Sequence, residues 1–201
     1  MKKRSNFLIA LSLVLIAGCS PGTQIVTSWR DPDVTVNTKN LNKFIVAALL
    51  KDQSVRRKVE DEMAALVKGK AVQSYKEFGT DALKENDSSY NQKLKSEGFD
   101  GVVVMSLVDV QKSTRYVPGS GPMYYRTWSG YWGMSWSGFY NPGYYTTDKT
   151  FKVEVNVYSL KTDNLIWSGI TSTIDPSGKA ELFSDVSNTV YNKMKKEGFL
   201  K

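Results

Sequence analysis

The side chains able to do chemistry are few. One thiol, Cys19, follows Leu15-Ile16-Ala17-Gly18, and no histidine occurs anywhere in the 201 residues. Without imidazole the chain lacks the commonest general base and metal ligand. A single thiol with no histidine rules out zinc clusters and Ser-His-Asp or Cys-His catalysis. Carboxylates gather twice, as Asp31-Pro32-Asp33 and as Glu60-Asp61-Glu62. A glycosidase needs two carboxylates at a defined separation with one desolvated. A calcium loop needs oxygen ligands and a glycine that the Asp-x-Asp segment lacks. Both clusters read as solvated, the first as a turn and the second as an exposed helix face. Gly98-Phe99-Asp100-Gly101 precedes a strand instead of joining strand to helix, so it is no phosphate loop. No metal, no cofactor and no enzymatic activity is expected.

The chemistry left to Cys19 is attachment. Met1-Lys2-Lys3-Arg4 is a basic start, and Phe7 to Ile16 is an apolar stretch too short to span a bilayer. Together they form an export signal. Leu15-Ile16-Ala17-Gly18-Cys19 resembles the bacterial lipobox, which implies a cysteine carrying diacylglycerol and an N-acyl chain as the first residue after cleavage. Ser20 in the next position implies outer-membrane sorting, with the domain on the periplasmic face. The expected divisions are residues 1–18 as signal peptide, 19–24 as lipidated tether and 25–201 as one domain. Cleavage removes three of 27 basic residues, leaving 24 against 20 acids, or +4. That mild bias is no nucleic-acid footprint. With no second cysteine there is no intramolecular disulfide, and the core alone must hold the fold.

A second feature is aromatic. Residues 116–145 hold seven Tyr, three Trp and one Phe, so 11 of the chain's 24 aromatics fall in 30 residues, interleaved with six Gly and three Pro. The spacing has neither helical nor strand period, and a long insertion of this kind is characteristically functional or disordered. Tyr124, Tyr125, Trp128, Tyr131, Trp132, Trp136 and Tyr140 form the candidate binding surface. Three uses compete: anchoring a protein partner, stacking on the sugars of peptidoglycan or polysaccharide, and settling at the lipid headgroup boundary. Arg115, Arg126 and Lys149 could assist any of them.

The rest of the chain must position these features. Ile25 to Trp29 is a first, edge strand, and Phe44 to Leu50 is a continuous apolar run typical of a strand buried on both faces. Asp52 or Ser54 caps a helix with Val55, Val59, Met63, Leu66 and Val67 on one face, ended by Gly69. Ala71 to Tyr75 is a short strand, and Ser88 to Glu97 a helix stopped by Gly98. Val102 to Val108 is a strand apolar on both faces that continues more loosely to Tyr116. Phe151, Val153, Val155 and Val157 alternate with polar residues, and Leu165 to Ile174 returns the hairpin. Asp175-Pro176-Ser177 caps a closing helix with Phe183, Val186, Val190 and Met194 on one face. Lys93 to Phe99 echoes Lys193 to Phe199, the pattern of two helices ending alike with glycine after a basic last turn. The fold class is α/β, a single-domain sandwich of a mixed β-sheet with packed helices and a long aromatic, Gly-rich hairpin loop.

Ala71-Val72-Gln73-Ser74-Tyr75, Glu97 to Val104 and Val157 to Gly169 resemble bacterial lipoproteins of unknown function whose hairpin ends in Trp-x-Gly. The architecture is similar to the anticodon-binding-like domain of the TolB amino-terminal region, curli secretion lipoproteins and activators of penicillin-binding proteins. The resemblance implies a binding or assembly role at the cell envelope, with an envelope protein as partner, and carries over no catalytic residue. Trp167 and Gly169 read as packing and close approach within the hairpin.

Overall fold

A computed structural model describes residues 22–67, 69–79, 89–117 and 143–201. Its strands are β1 (Gln24–Arg30), β2 (Lys43–Leu49), β3 (Ala71–Gln73), β4 (Phe99–Val117), β5 (Tyr144–Ser159) and β6 (Asn164–Ile174). They form one sheet in the order β1-β6-β5-β4-β2-β3. β2 runs parallel to β3 and β4, and the other pairings are antiparallel. The sheet is therefore mixed, and β1 lies at its edge. Four helices complete the described fold: α1 (Gln53–Ala65), α2 (Ser74–Phe78), α3 (Ser89–Ser96) and α4 (Lys179–Lys196).

β2 shows why an uninterrupted apolar run belongs here. Val46 and Ala48 face the main core, with Val59, Met63, Met105, Val155, Phe183 and Val186. Ile45 and Ala47 face the opposite way, into a smaller cluster with Leu94, Phe99 and Leu160. Successive side chains alternate faces, so a strand covered on both sides must be apolar at every position. α4 contributes Leu182, Phe183, Val186, Val190 and Met194, all buried, to the main core, which realises the expected apolar stripe. Asp52 is the cap of α1, its side chain accepting from the amides of Ser54 and Val55.

Several expectations are corrected. Ala71 to Tyr75 is not all strand: β3 stops at Gln73 and α2 begins at Ser74, because the Ser74 side chain is drawn into a buried polar network described below. The both-faces-buried reading of Val102 to Val108 holds only for the first half of β4. β2 pairs with β4 no further than Ser106, and Leu107 and Val108 beyond it are exposed. Asp175 does not cap α4. The N-cap is Gly178, with no side-chain cap bond, while Asp175 turns at positive φ and its Oδ1 accepts from the Lys149 amide at 2.7 Å. β5 begins at Tyr144, seven residues before the alternation of Phe151 to Val157, because β4 continues beside it to Val117.

A candidate contact ribbon and the framework that holds it

Glu60 is fully buried, not on a solvated helix face. Its Oε1 accepts from the Ala48 amide at 3.1 Å, Arg56 Nε at 3.0 Å and Ser74 Oγ at 2.6 Å. Its Oε2 accepts from the Tyr75 amide at 3.0 Å. Arg56, equally buried, also donates from Nη2 to Ser74 Oγ at 2.8 Å. One carboxylate thus ties α1 to β2 and to the start of α2, and its capacity is taken by structural donors. A cluster of three acids in sequence gave no signal of this. Arg56 four residues earlier did, since a buried charge needs a partner within reach on its helix face. Asp61 stays exposed, accepting from Gln73 Nε2 and Tyr75 Oη. At the other acidic pair, Asp31 Oδ1 accepts from the Asp33 amide at 3.0 Å, a self-bonded turn as expected.

The Trp-x-Gly segment is a second framework. Trp167 is fully buried, and a Cβ at Gly169 would collide with its indole ring. The benzene end of the ring lies against the glycine, which is the close approach the sequence implied. Its Nε1 donates to Glu197 Oε2 at 3.1 Å. Glu197 Oε1 accepts from Ser28 Oγ at 2.9 Å and pairs with Lys193 Nζ at 2.8 Å, while its carbonyl accepts from Arg30 Nη1 at 2.8 Å. Burial pushes the Glu197 carboxyl up, but hydrogen bonds from Lys193, Trp167 and Ser28 outweigh it and hold the group below its ordinary value. The end of α4 is thereby fastened to β1 and β6. Sequence reasoning missed Glu197. The echo of Lys93 to Phe99 in Lys193 to Phe199 marked the helix end but not its partners; both glycines turn at positive φ, and both phenylalanines are buried.

An apolar cleft of about 880 Å³ lies between the sheet and helices α1 and α4, with Phe44, Met63, Val103, Val157, Val190 and Met194 in its wall. It reaches the Asp100–Lys161 ion pair (3.2 Å), at the end of the sheet near the β5–β6 turn. Among the described residues no group of three His, Cys, Asp or Glu side chains is placed to hold a metal ion.

The most unusual element is the β4–β5 ribbon. β6 accompanies β5 only as far as Thr150, opposite Ile174, and β2 leaves β4 at Ser106. Asp175 still bonds the Lys149 amide and carbonyl, and beyond Lys112 and Lys149 the two strands continue alone to Val117 and Tyr144. Five residues at about 3.3 Å each project this ribbon about 17 Å past the sheet. A two-stranded ribbon is marginal in water by itself, so its cross-strand pairs matter. On one face Lys112 stands opposite Lys149, then Thr114 opposite Thr147, then Tyr116 opposite Tyr145. The threonine hydroxyls lie 3.1 Å apart, and the tyrosine rings 5.2 Å apart. On the other face Arg115 pairs with Asp148 at 3.3 Å. Tyr144 and Tyr145 are 63% and 74% exposed, values that leave more than half of each residue in solvent at the tip.

Tyr124, Tyr125, Trp128, Tyr131, Trp132, Trp136 and Tyr140 lie outside the described residues, as do Arg126 and Cys19. Connectivity alone sets where the aromatic segment is attached: its two ends, Val117 and Tyr144, are paired at the ribbon tip. Of the residues named as assistants, Arg115 and Lys149 are on the ribbon, on opposite faces.

The molecule is thus an α/β domain with a mixed six-stranded sheet, carrying one long ribbon. No family model matches the chain, and no curated protein matches it. Among solved structures it is similar to the PelC dodecamer from Paraburkholderia phytofirmans, at 9% sequence identity and a TM-score of 0.43, covering 89% of this chain and 99% of that one. It is also similar to the lipoprotein GNA1162 from Neisseria meningitidis, at 12% identity and a TM-score of 0.40, covering 77% and 98% respectively. No residue role is carried over from either.

Proposed function

We infer that this chain is a non-enzymatic bacterial envelope lipoprotein, anchored in the outer membrane through acylated Cys19, whose domain faces the periplasm and binds or assembles an envelope protein through the aromatic segment. The observation that carries the reading is the ribbon, which spends ten residues of two strands (113–117 and 144–148) on holding the ends of that segment away from the core. Ordering so many residues with so little burial costs about 1–2 kcal/mol each before any compensation, a cost that contact with a partner offsets. The buried carboxylate Glu60 is consumed by structural donors, which supports a binding role over catalysis.

In-cell crosslinking through a photoreactive residue at Trp132 captures a defined envelope protein on this reading. Deleting residues 119–143 abolishes that capture, and unchanged partners and phenotype after the deletion would sink the assignment. Cys19→Ala should lose lipid labelling and membrane fractionation while the domain still folds. Sugar stacking on Trp128, Trp132 and Trp136 is the competing use, and a saturable change in tryptophan fluorescence with purified peptidoglycan would favour it.

A further inference from the structure

Both the anchor and the ribbon leave the sheet at the same end. Gln24, the first residue of β1, is level with Ser172 of β6, and Ser172 is level with Lys152 of β5. From Lys152, β5 runs eight residues further in the direction of the anchor before reaching Tyr144, about 26 Å at strand rise. Adjacent strands rotate by roughly 20–25°, and two steps separate β1 from β5. At a divergence of about 45° the tip still advances about 18 Å beyond Gln24. Cys19 lies five residues before Gln24, and a fully extended chain covers at most about 3.3–3.6 Å per residue, or about 18 Å in all. A domain held by Cys19 with its sheet upright therefore brings the ribbon tip to the surface in which the anchor is buried.

The ribbon has the composition that such a surface selects. Residues 110–117 and 144–150 carry Lys112, Arg115 and Lys149 against a single acid, Asp148, a net +2. Arg115 is the cation that Asp148 neutralises. Lys112 and Lys149 face each other directly, a like-charge pair with one acid beside it, Asp175, whose carboxylate accepts from the Lys149 amide; lipid phosphates favour the pair. Four residues closer to the tip, about 13 Å along the strands, the same face presents the Tyr116–Tyr145 pair. Aromatic rings with a polar tip partition to the headgroup boundary, and lysines reach from there to the phosphates. Ring pair below and ammonium pair above is the order required for a ribbon that stands tip-first on a bilayer.

We propose that the ribbon face formed by Lys112, Lys149, Tyr116 and Tyr145 is a second membrane contact, docking on the anionic phospholipid bilayer that holds Cys19. It rests on the anchored reading above and deepens it: two attachments fix the domain's orientation, so that Val117 and Tyr144, between which the aromatic segment is attached, are held at the membrane surface. The contact need not be strong alone, because the tether makes it intramolecular and its effective concentration high. Orientation on the bilayer, not retention, is what the ribbon supplies.

The test uses the full-length lipidated protein reconstituted in vesicles of phosphatidylethanolamine and phosphatidylglycerol. Acylation consumes the only cysteine, so Thr147→Cys on the ribbon or Thr162→Cys at the opposite end of β5 gives one labelling site for an environment-sensitive dye. Collisional quenching by nitroxide phospholipid should be several-fold greater at position 147 than at 162, and should fall when Tyr116 and Tyr145 are both changed to Ser. Omitting phosphatidylglycerol should also lower it. Equal quenching at the two positions, with the protein floating with the vesicles, overturns the docking and leaves the anchor intact. Failure to float removes the anchor and the docking together. Circular dichroism of the Tyr→Ser protein checks that the domain is folded, and Lys112→Gln with Lys149→Gln, which leaves the Tyr116–Tyr145 ring pair in place, must lower the quenching as well, which tells a lost contact from a loosened ribbon.

Discussion

Glu60→Gln tests how the fold is held. The substitution keeps size and shape but removes the charge that neutralises Arg56, which is 4% exposed. It also turns an amide nitrogen toward a backbone donor. If Oε1 keeps its bonds to Ala48, Arg56 and Ser74, the new N–H₂ faces the Tyr75 amide, formerly bonded at 3.0 Å. Removing one partner of a buried ion pair costs about 3–5 kcal/mol, and an unsatisfied buried donor accounts for about 1–3 kcal/mol of such a loss. For a domain of this length 1 kcal/mol moves the midpoint by roughly 2–4 °C, so a fall of roughly 6–20 °C is expected. The assay is thermal and urea unfolding of residues 19–201 carrying Cys19→Ala, followed by tryptophan fluorescence, with Asp61→Asn as neighbour control. Asp61 is exposed, and its isosteric change should cost about 0.5 kcal/mol or less. A loss below about 1 kcal/mol for Glu60→Gln, or equal losses for the two adjacent acids, would refute the claim that the network bridges α1, β2 and α2.

Gly169→Ala forces a methyl group into the Trp167 ring and should cost about 1–3 kcal/mol in the same assay; a neutral result would mean the indole does not lie over the glycine. Acid unfolding should draw on Glu197: its carboxyl sits below the ordinary 4.5 in the folded protein, so its stabilisation is present above that value and is lost as pH falls through the depressed one. Glu197→Gln should accordingly flatten the low-pH limb of a stability–pH profile, and an unaltered limb would contradict the hydrogen bonds drawn to it. Asp52→Ala removes the acceptor for two amides at the start of α1 and should cost about 1 kcal/mol, measurable as a shift in urea midpoint at constant slope.

Sequence by itself determined whatever depends on local pattern. The run Phe44 to Leu50 implied a strand covered on both sides, which holds up to Ala48 while Leu49 is exposed; the alternation from Phe151 to Val157 required a sheet with one wet face, and glycine after a basic turn required helix ends at Gly98 and Gly198. Absence of histidine and the single thiol bounded the chemistry in the same direct way. Tertiary structure decided what depends on which distant groups meet. Glu60 and Asp61 are adjacent acids of one helix, yet only the first points at Ala48 and Ser74, so identical chemistry became a buried strut in one case and a wet side chain in the other. Glu197 acquired Ser28 and Trp167 as partners across separations of 169 and 30 residues, which no local period encodes. The ribbon likewise needed register: composition marked 116–145 as an aromatic insertion, but only the pairing of Ser172 with both Gln24 and Lys152 placed its base at the end of the sheet where β1 begins. Periodicity records which face of an element is apolar, whereas proximity between elements is fixed by strand order and register, and these are properties of the whole sheet.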